Sequence, residues 1–390
     1  MNARWRTVAA VMGSLAALLV CAGASQTAQI RVDLHGSGDY LTIQEGVAAA
    51  SSGDTVWVAP GTYGGPYNRD VVFGGRAILL SSESGPETTV IDCEGQGRGV
   101  IFRNAETTSS RLHGFTVTHG YAAHGAGILC ESASAPLITN CRLVDNIAHG
   151  ATLGGGGMAC WAGSSPTLSD VVFTGNQGDY GGGLLTVAGS APHLEGVVFD
   201  GNSALRRGGG WYCEEPAEPY MISDCAFRDN VATDPSWGYG GALYIFGAAP
   251  RITGVTFARN SAGHPTRGDC LAATGGGSLT VDNTILAFGG RGKMYALLGG
   301  STATTANCVV YGNAGGDSLD GTHHDNLFAD PRFCDLDGGD LTLCANSPCV
   351  LGSHPWPGLV GAYGQGCADC DAPAERRSWG VLKAQFRPLP

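Results

Sequence analysis

The stretch SPTLSDVVFTGNQGDYGGGLLTVAGSAPHLEGVVFDGN, residues 165–202, holds two copies of one short pattern separated by a glycine block. In each copy a large apolar residue stands three positions before an Asn: Phe173 before Asn176, and Phe199 before Asn202. Followed outward, the same apolar position recurs at Val117, Leu143, Phe227, Phe257, Leu286 and Val310, in steps of 24 to 30 residues. Two positions before each lies another core-type residue: Phe115, Cys141, Val171, Val197, Cys225, Val255, Thr284 and Cys308. Three earlier again come Leu112, Ile138, Leu168, Leu194, Ile222, Ile252 and Val281. Alternation by two, short runs and β-branched content predict strands and not helices. Asn recurs at 146, 176, 202, 230, 260 and 313. Because Asn tolerates left-handed backbone and bonds locally, that column predicts a repeated corner.

A second block follows each corner: GAGILC (125–130), GGGMAC (155–160), GGGLLT (181–186), GGGWYC (208–213) and GGALYI (240–245). Two or three short strands in every ~28 residues, each set stacking on the last, predict an all-β, single-stranded right-handed parallel β-helix over 54–330. A β-propeller would need longer, more regular repeats with antiparallel pairing inside each blade. Residues 25–53 form the lead-in. There TIQEGVAAA (42–50) predicts a short amphipathic helix able to cover the first coil, whose unpaired edge would otherwise recruit other chains. Residues 331–370 carry five Cys (334, 344, 349, 367, 370) and predict a disulfide-stapled closing segment.

The 390 residues include 63 Gly and 18 Pro, only 14% are charged, and the net charge is −12. There is no three-residue collagen period, and the apolar content is too high for disorder. The acidic balance is the wrong sign for a nucleic-acid partner. Residues 1–24 read as a signal peptide: Arg4 and Arg6, an apolar run from Val8 to Val20, then Ala22-Gly23-Ala24. A secreted or cell-surface location follows, with the periplasm as an alternative. No later apolar run is long enough to span a membrane as a helix. Cys130, Cys160 and Cys213 share one inward column, and Cys141, Cys225 and Cys308 another. Rungs ~4.8 Å apart suit disulfides poorly, so buried thiols are expected there. The tail 371–390 breaks the pattern and carries a short amphipathic stretch from Trp379 to Phe386.

GSGDYLTIQEGVAAASSGDTVWVAPGTY (36–63) resembles the start of pectin-lyase-like β-helix proteins, pectin methylesterases among them. The alternating GGAL-type and FTGN-type blocks are similar to chlamydial polymorphic outer-membrane proteins, and NLFADPRFCDLDGGDLTLCANSPC (326–349) is similar to bacterial secreted β-helix repeat proteins. Together these resemblances cover about 33–370 and imply the fold. They imply no activity, because the esterase QDTL, DFIFG and LGRPW blocks, the polygalacturonase NTD, GHG and RIK blocks, and the pectate-lyase WIDH and RxPxxR segments have no counterpart.

The catalytic candidates are two carboxylates, Asp170 and Asp224, two rungs apart at roughly 9.6 Å on one outward column, near the spacing of an inverting hydrolase. Asp and Asn that form corners are the competing reading. His119, His124 and His149 gather near another corner, where solvated loop histidines are the ordinary case. DLDGGD (335–340) has the start of a Ca²⁺ loop but not its closing Glu, so a tight turn competes with Ca²⁺. No other cofactor and no metal site is expected.

The glycine block carries the binding candidates. Cys130, Cys160, Thr186, Cys213 and Ile245 point inward, which turns Glu131, Trp161, Tyr212, Glu214, Tyr244 and Phe246 outward, with Trp237 and Tyr239 on a loop beside them. Rings along a rigid ladder suit sugar faces, and the two Glu would accept hydroxyl hydrogen bonds. Cover by loops, or a register that turns the stripe inward, is the alternative. The expectation is a non-catalytic protein that binds a polysaccharide or another surface component. A lyase or hydrolase with an unrecognised site is one alternative, and a structural or adhesive spacer the other.

Overall fold

The computed structural model describes residues 27–150, 154–216 and 221–370. The expected signal peptide, 1–24, and the tail, 371–390, lie outside the described residues. The chain winds as a right-handed parallel β-helix of about ten coils. Three parallel sheets run its length: a first of twelve strands from Gln29–Val32 to Thr322–His324, a second of ten from Gly61–Tyr63 to Val309–Tyr311, and a third of nine from Val71–Val72 to Tyr295–Leu297. A short six-stranded ladder, Tyr121–Ala122 to Ser261–Ala262, lines the corner between the second and third sheets. Gln29–Val32 lays the first rung ahead of the single helix, within the stretch read as lead-in. The helix spans Ile43–Ala49 and buries Ile43 and Val47 against that coil.

The register follows the sequence columns. Val117, Leu143, Phe173, Phe199, Phe227, Phe257, Leu286 and Val310 pair in succession along the second sheet. Phe173, Phe199, Phe227 and Phe257 stack at 4.6–5.0 Å between centroids, nearly parallel, because rung spacing and ring-stacking distance coincide. Each ring contributes roughly 1.5–3 kcal/mol through burial.

The Asn corner works differently from the expectation. The left-handed residue is the one before each Asn: Asp145, Gly175, Gly201, Asp229 and Arg259. That frees the Asn side chain to turn inward, where Asn146, Asn176, Asn202, Asn230 and Asn260 are fully buried. From Asn146 to Asn230 each Nδ2 donates to the Oδ1 of the next Asn at 2.9–3.0 Å, and each backbone N–H donates to the same oxygen. The second Nδ2 hydrogen reaches back to a carbonyl of the previous coil, as from Asn202 to Phe173 at 2.9 Å.

The inward cysteines are buried thiols, as expected for the two columns, and Cys93 and Cys270 join them. Of the five in the closing segment, four are paired, Cys334–Cys367 and Cys344–Cys370. Cys349 departs from the expected stapling and stays a buried thiol. The segment folds back along the outer side of the second sheet, where the small residues Ala226, Ala258 and Ala287 let Phe333, Leu341, Leu343 and Val360 approach. Gly361 N–H donates to the Asn283 carbonyl, and Ala362 N–H to Thr256 Oγ1. Burial pushes the Cys93, Cys225, Cys308 and Cys349 thiols up to about 12. The nine described cysteines outside disulfides are all buried and so shielded from reagent. Native protein should give no reaction at them with a thiol-disulfide dye, and guanidinium should release all nine; rapid native labelling would contradict this packing.

Candidate functional site

Each strand of the third sheet alternates in, out, in. Ile128 and Cys130 face the core, and Leu129 faces away, pairing along the ladder with Ala159, Leu185, Tyr212, Tyr244 and Ala272. The outward orientation expected for the stripe holds. Its openness does not: Tyr212 is 5% and Tyr244 1% exposed.

The cover comes from a second column, the residue just before the left-handed glycine that opens each glycine block. Gly125, Gly155, Gly181, Gly208, Gly240 and Gly268 all have positive φ, so the preceding residues are His124, Gly154, Tyr180, Arg207, Tyr239 and Arg267. Successive coils are locked here by backbone bonds, Gly181 N–H to the Arg207 carbonyl, Gly208 to Tyr239 and Gly240 to Arg267. Tyr180, Arg207, Tyr239 and Arg267 are thus held one above another. Tyr239 lies between two guanidiniums, with Arg207 5.3 Å and Arg267 5.2 Å from its centroid. Arg207 also sits 4.9 Å over Tyr244 and donates to its hydroxyl at 3.1 Å. Arg206 lies over Tyr180 at 5.8 Å and donates to its hydroxyl. The sequence reading began each block at its glycines and stopped one residue short of this column.

Beneath the cover Tyr212 and Tyr244 stack in parallel at 5.2 Å, and Tyr180 meets Tyr212 edge-on. Burial pushes the Tyr244 phenol up to about 12, against the pull of Arg207. Tyr212 is raised as well, by burial first and then by Glu214, whose Oε2 accepts its hydroxyl proton at 2.9 Å. At the rim, Trp161 is half-buried against His124 at 5.3 Å, Glu131 and Phe246 are half-buried, and Trp237 is 54% exposed. Asp234 holds the Trp237 loop by accepting from the Ser236 and Trp237 N–H groups.

Arg207 Nε and Arg267 Nε are buried without a hydrogen-bond partner. Among the described residues no carboxylate forms an ion pair with Arg206, Arg207 or Arg267, although Arg31, Arg69, Arg142, Arg228, Arg251 and Arg259 all have one.

The remaining candidates lie elsewhere. Asn140, Asp170, Gly196, Asp224, Asn283 and Asn307 share a left-handed corner between the first and second sheets, φ 47–62°. The Asp170 carboxylate leans over Gly196 and that of Asp224 over Gly254, each on the next coil's corner. Burial, then Glu195, raises the Asp224 carboxyl. In DLDGGD, Asp335 accepts from Gly338 N–H and Asp340 from Thr342, which fixes the turn of a hairpin, while Asp337 pairs with Arg259. His119 bonds Asp92, and His149 stacks on Tyr121, apart from His124. A cleft of about 510 Å³ under the closing segment, lined by Phe288, Tyr311, Arg332 and Phe333, is remote from the tyrosine face.

The coil is built like a pectate lyase. Pectate lyase Pel9A superposes with a TM-score of 0.51 at 15% identity, over 87% of this chain and 97% of that one. A carrot pectin methylesterase gives a TM-score of 0.30 at 12% identity over 77% and 88%, too distant to carry an argument. No family model and no curated protein sequence matches the chain. The likeness to Pel9A establishes the right-handed β-helix and leaves the chemistry to the residues above. No described helix is long and apolar enough to cross a membrane.

Proposed function

We propose that this protein is an exported, non-catalytic binder of acidic polysaccharide, and that the arginine–tyrosine column on the third sheet is where the polymer lies. The observation that carries this reading is the stack of Tyr180, Arg207, Tyr239 and Arg267, whose guanidiniums have no carboxylate partner in a chain of net charge −12. Guanidiniums in fixed planes with no carboxylate partner match sugar carboxylates, since charge-assisted hydrogen bonds are the strong ones. Trp237 and Trp161 at the rim offer faces for sugar rings, and Glu131 accepts hydroxyls. The column is straight because the coils are, so the ligand it fits is a linear polymer whose charges repeat along its length. Tyr212, Tyr244 and Glu214 support the column from below.

The test replaces Arg207 and Arg267 together by Met, which keeps an unbranched stem over Tyr239 and removes the charge. Polygalacturonate affinity, by gel retardation or calorimetry, should fall at least ~100-fold, about tenfold or more per charged contact. Wild-type binding should weaken with salt, and a neutral glucan of equal length should not bind. Unchanged affinity in the double variant would overturn the site. Release of unsaturated uronate ends by wild-type protein would overturn the non-catalytic reading.

A further inference from the structure

The closing segment brings three sulfurs together, and a fourth, that of Cys370, is bonded to one of them. Its small sheet has an antiparallel hairpin, Phe333–Asp335 with Asp340–Cys344, and a third strand, Gln365–Cys367, parallel to the second. Register sets Cys344 beside Cys367, and Cys334 and Cys370 bond across to them. The two disulfides are in contact: Cys344 Sγ and Cys367 Sγ, one from each, are 3.6 Å apart. Cys334, Cys344 and Cys367 Sγ all lie within 4.8 Å of one another. A tetrahedron of Zn–S bonds of about 2.3 Å has edges of about 3.8 Å. The fourth thiol available to such a tetrahedron is Cys370, which is bonded to Cys344.

We propose that Cys334, Cys344, Cys367 and Cys370 form a tetrahedral zinc site in the reduced chain, a state that alternates with the two disulfides. Cys367-Ala-Asp-Cys370 has the two-residue spacing with which one knuckle of a four-cysteine zinc site grips its ion. Cys334 and Cys344 have nine residues between them in sequence and converge instead through the hairpin. Elsewhere the chain does not use cysteine as a disulfide scaffold: the other nine described cysteines are thiols. Cys344 is buried, Cys334 and Cys367 half-buried and Cys370 exposed, so the ion has a route in from the cleft that Cys370 shares with Arg332.

The conversion balances simply. Each disulfide accepts two electrons and two protons from one phosphine and one water, giving two thiols and a phosphine oxide. Zn²⁺ then displaces four protons from the four thiols. Held so, the ion ties all three strands together as the disulfides do, so the segment stays on the second sheet in either state.

The experiment uses the full exported chain, reduced with a phosphine, stripped of metal and titrated with Co²⁺ without oxygen. One equivalent should produce the intense visible bands of tetrahedral cobalt thiolate, and one equivalent of Zn²⁺ should abolish them. Cys370→Ser, at an exposed position, should weaken cobalt binding at least about tenfold and shrink the bands, while Cys349→Ala should leave them intact. Far-UV circular dichroism checks that the coil remains folded in each protein. Absence of cobalt bands in the folded, reduced wild type, or identical bands in Cys370→Ser, would overturn the proposal.

Discussion

Replacing Asn202 by Ala is expected to cost about 3–5 kcal/mol of stability, a large effect for one neutral side chain. Its Oδ1 accepts from the Asn176 backbone N–H at 3.1 Å and from Asn176 Nδ2 at 2.9 Å. Its Nδ2 donates to Phe173 and to Asn230 Oδ1. Truncation leaves at least two donors of Asn176 buried without partners, at about 1–3 kcal/mol each, besides the lost packing. Asn176 and Asn202 are both fully buried. A chemical denaturation curve reads the loss directly. A cost below about 1 kcal/mol would mean the Asn column merely fills space.

Gly209→Ala should be worse, more than about 4 kcal/mol or failure to fold. A Cβ there would sit 2.3 Å from the Gly241 carbonyl oxygen and 2.5 Å from that of Val231. Both are backbone atoms of the next coil, so no side chain can swing aside and the rungs themselves would have to part. Gly189→Ala is the informative contrast. Its Cβ would meet nothing within 4 Å, and only its φ of +73° resists the change. That strain is about 1–2 kcal/mol. Thermal unfolding of the two variants side by side separates crowding from handedness; equal shifts would show that rung contact is not what demands glycine at 209.

Much of the coil was legible because its core is written as columns. Phe173 to Phe257 align in sequence and in space, and the outward turn of Tyr212 and Tyr244 follows from period two alone. What covers them was hidden for a physical reason. Loops between the Asn corner and the glycine block vary in length, so Tyr180, Arg207, Tyr239 and Arg267 fall out of phase when counted from Asn and fall into phase only when counted back from the left-handed glycine. The docking of the closing segment was hidden for another. It depends on small residues, Ala226, Ala258 and Ala287, whose meaning appears only when a non-repeating partner lies against them. Asp170 and Asp224 were readable as corner residues, and both have the left-handed backbone that such corners need. The meeting of Cys367 and Cys370 with a distant hairpin could not be counted out at all, since it joins strands that no repeat relates.

The buried Asn column has one more consequence. Every Asn from 146 to 230 presents the same two donors, its backbone N–H and its Nδ2, to the Oδ1 of an identical residue in the next coil. Such a latch fits any copy of itself. A gene that duplicates or drops one 26- to 30-residue unit between Asn146 and Asn260 therefore leaves every Asn–Asn junction chemically unchanged. Molecular length, and with it the number of charges a bound polymer could meet, becomes a quantity that unequal crossing-over can tune without inventing a new interface.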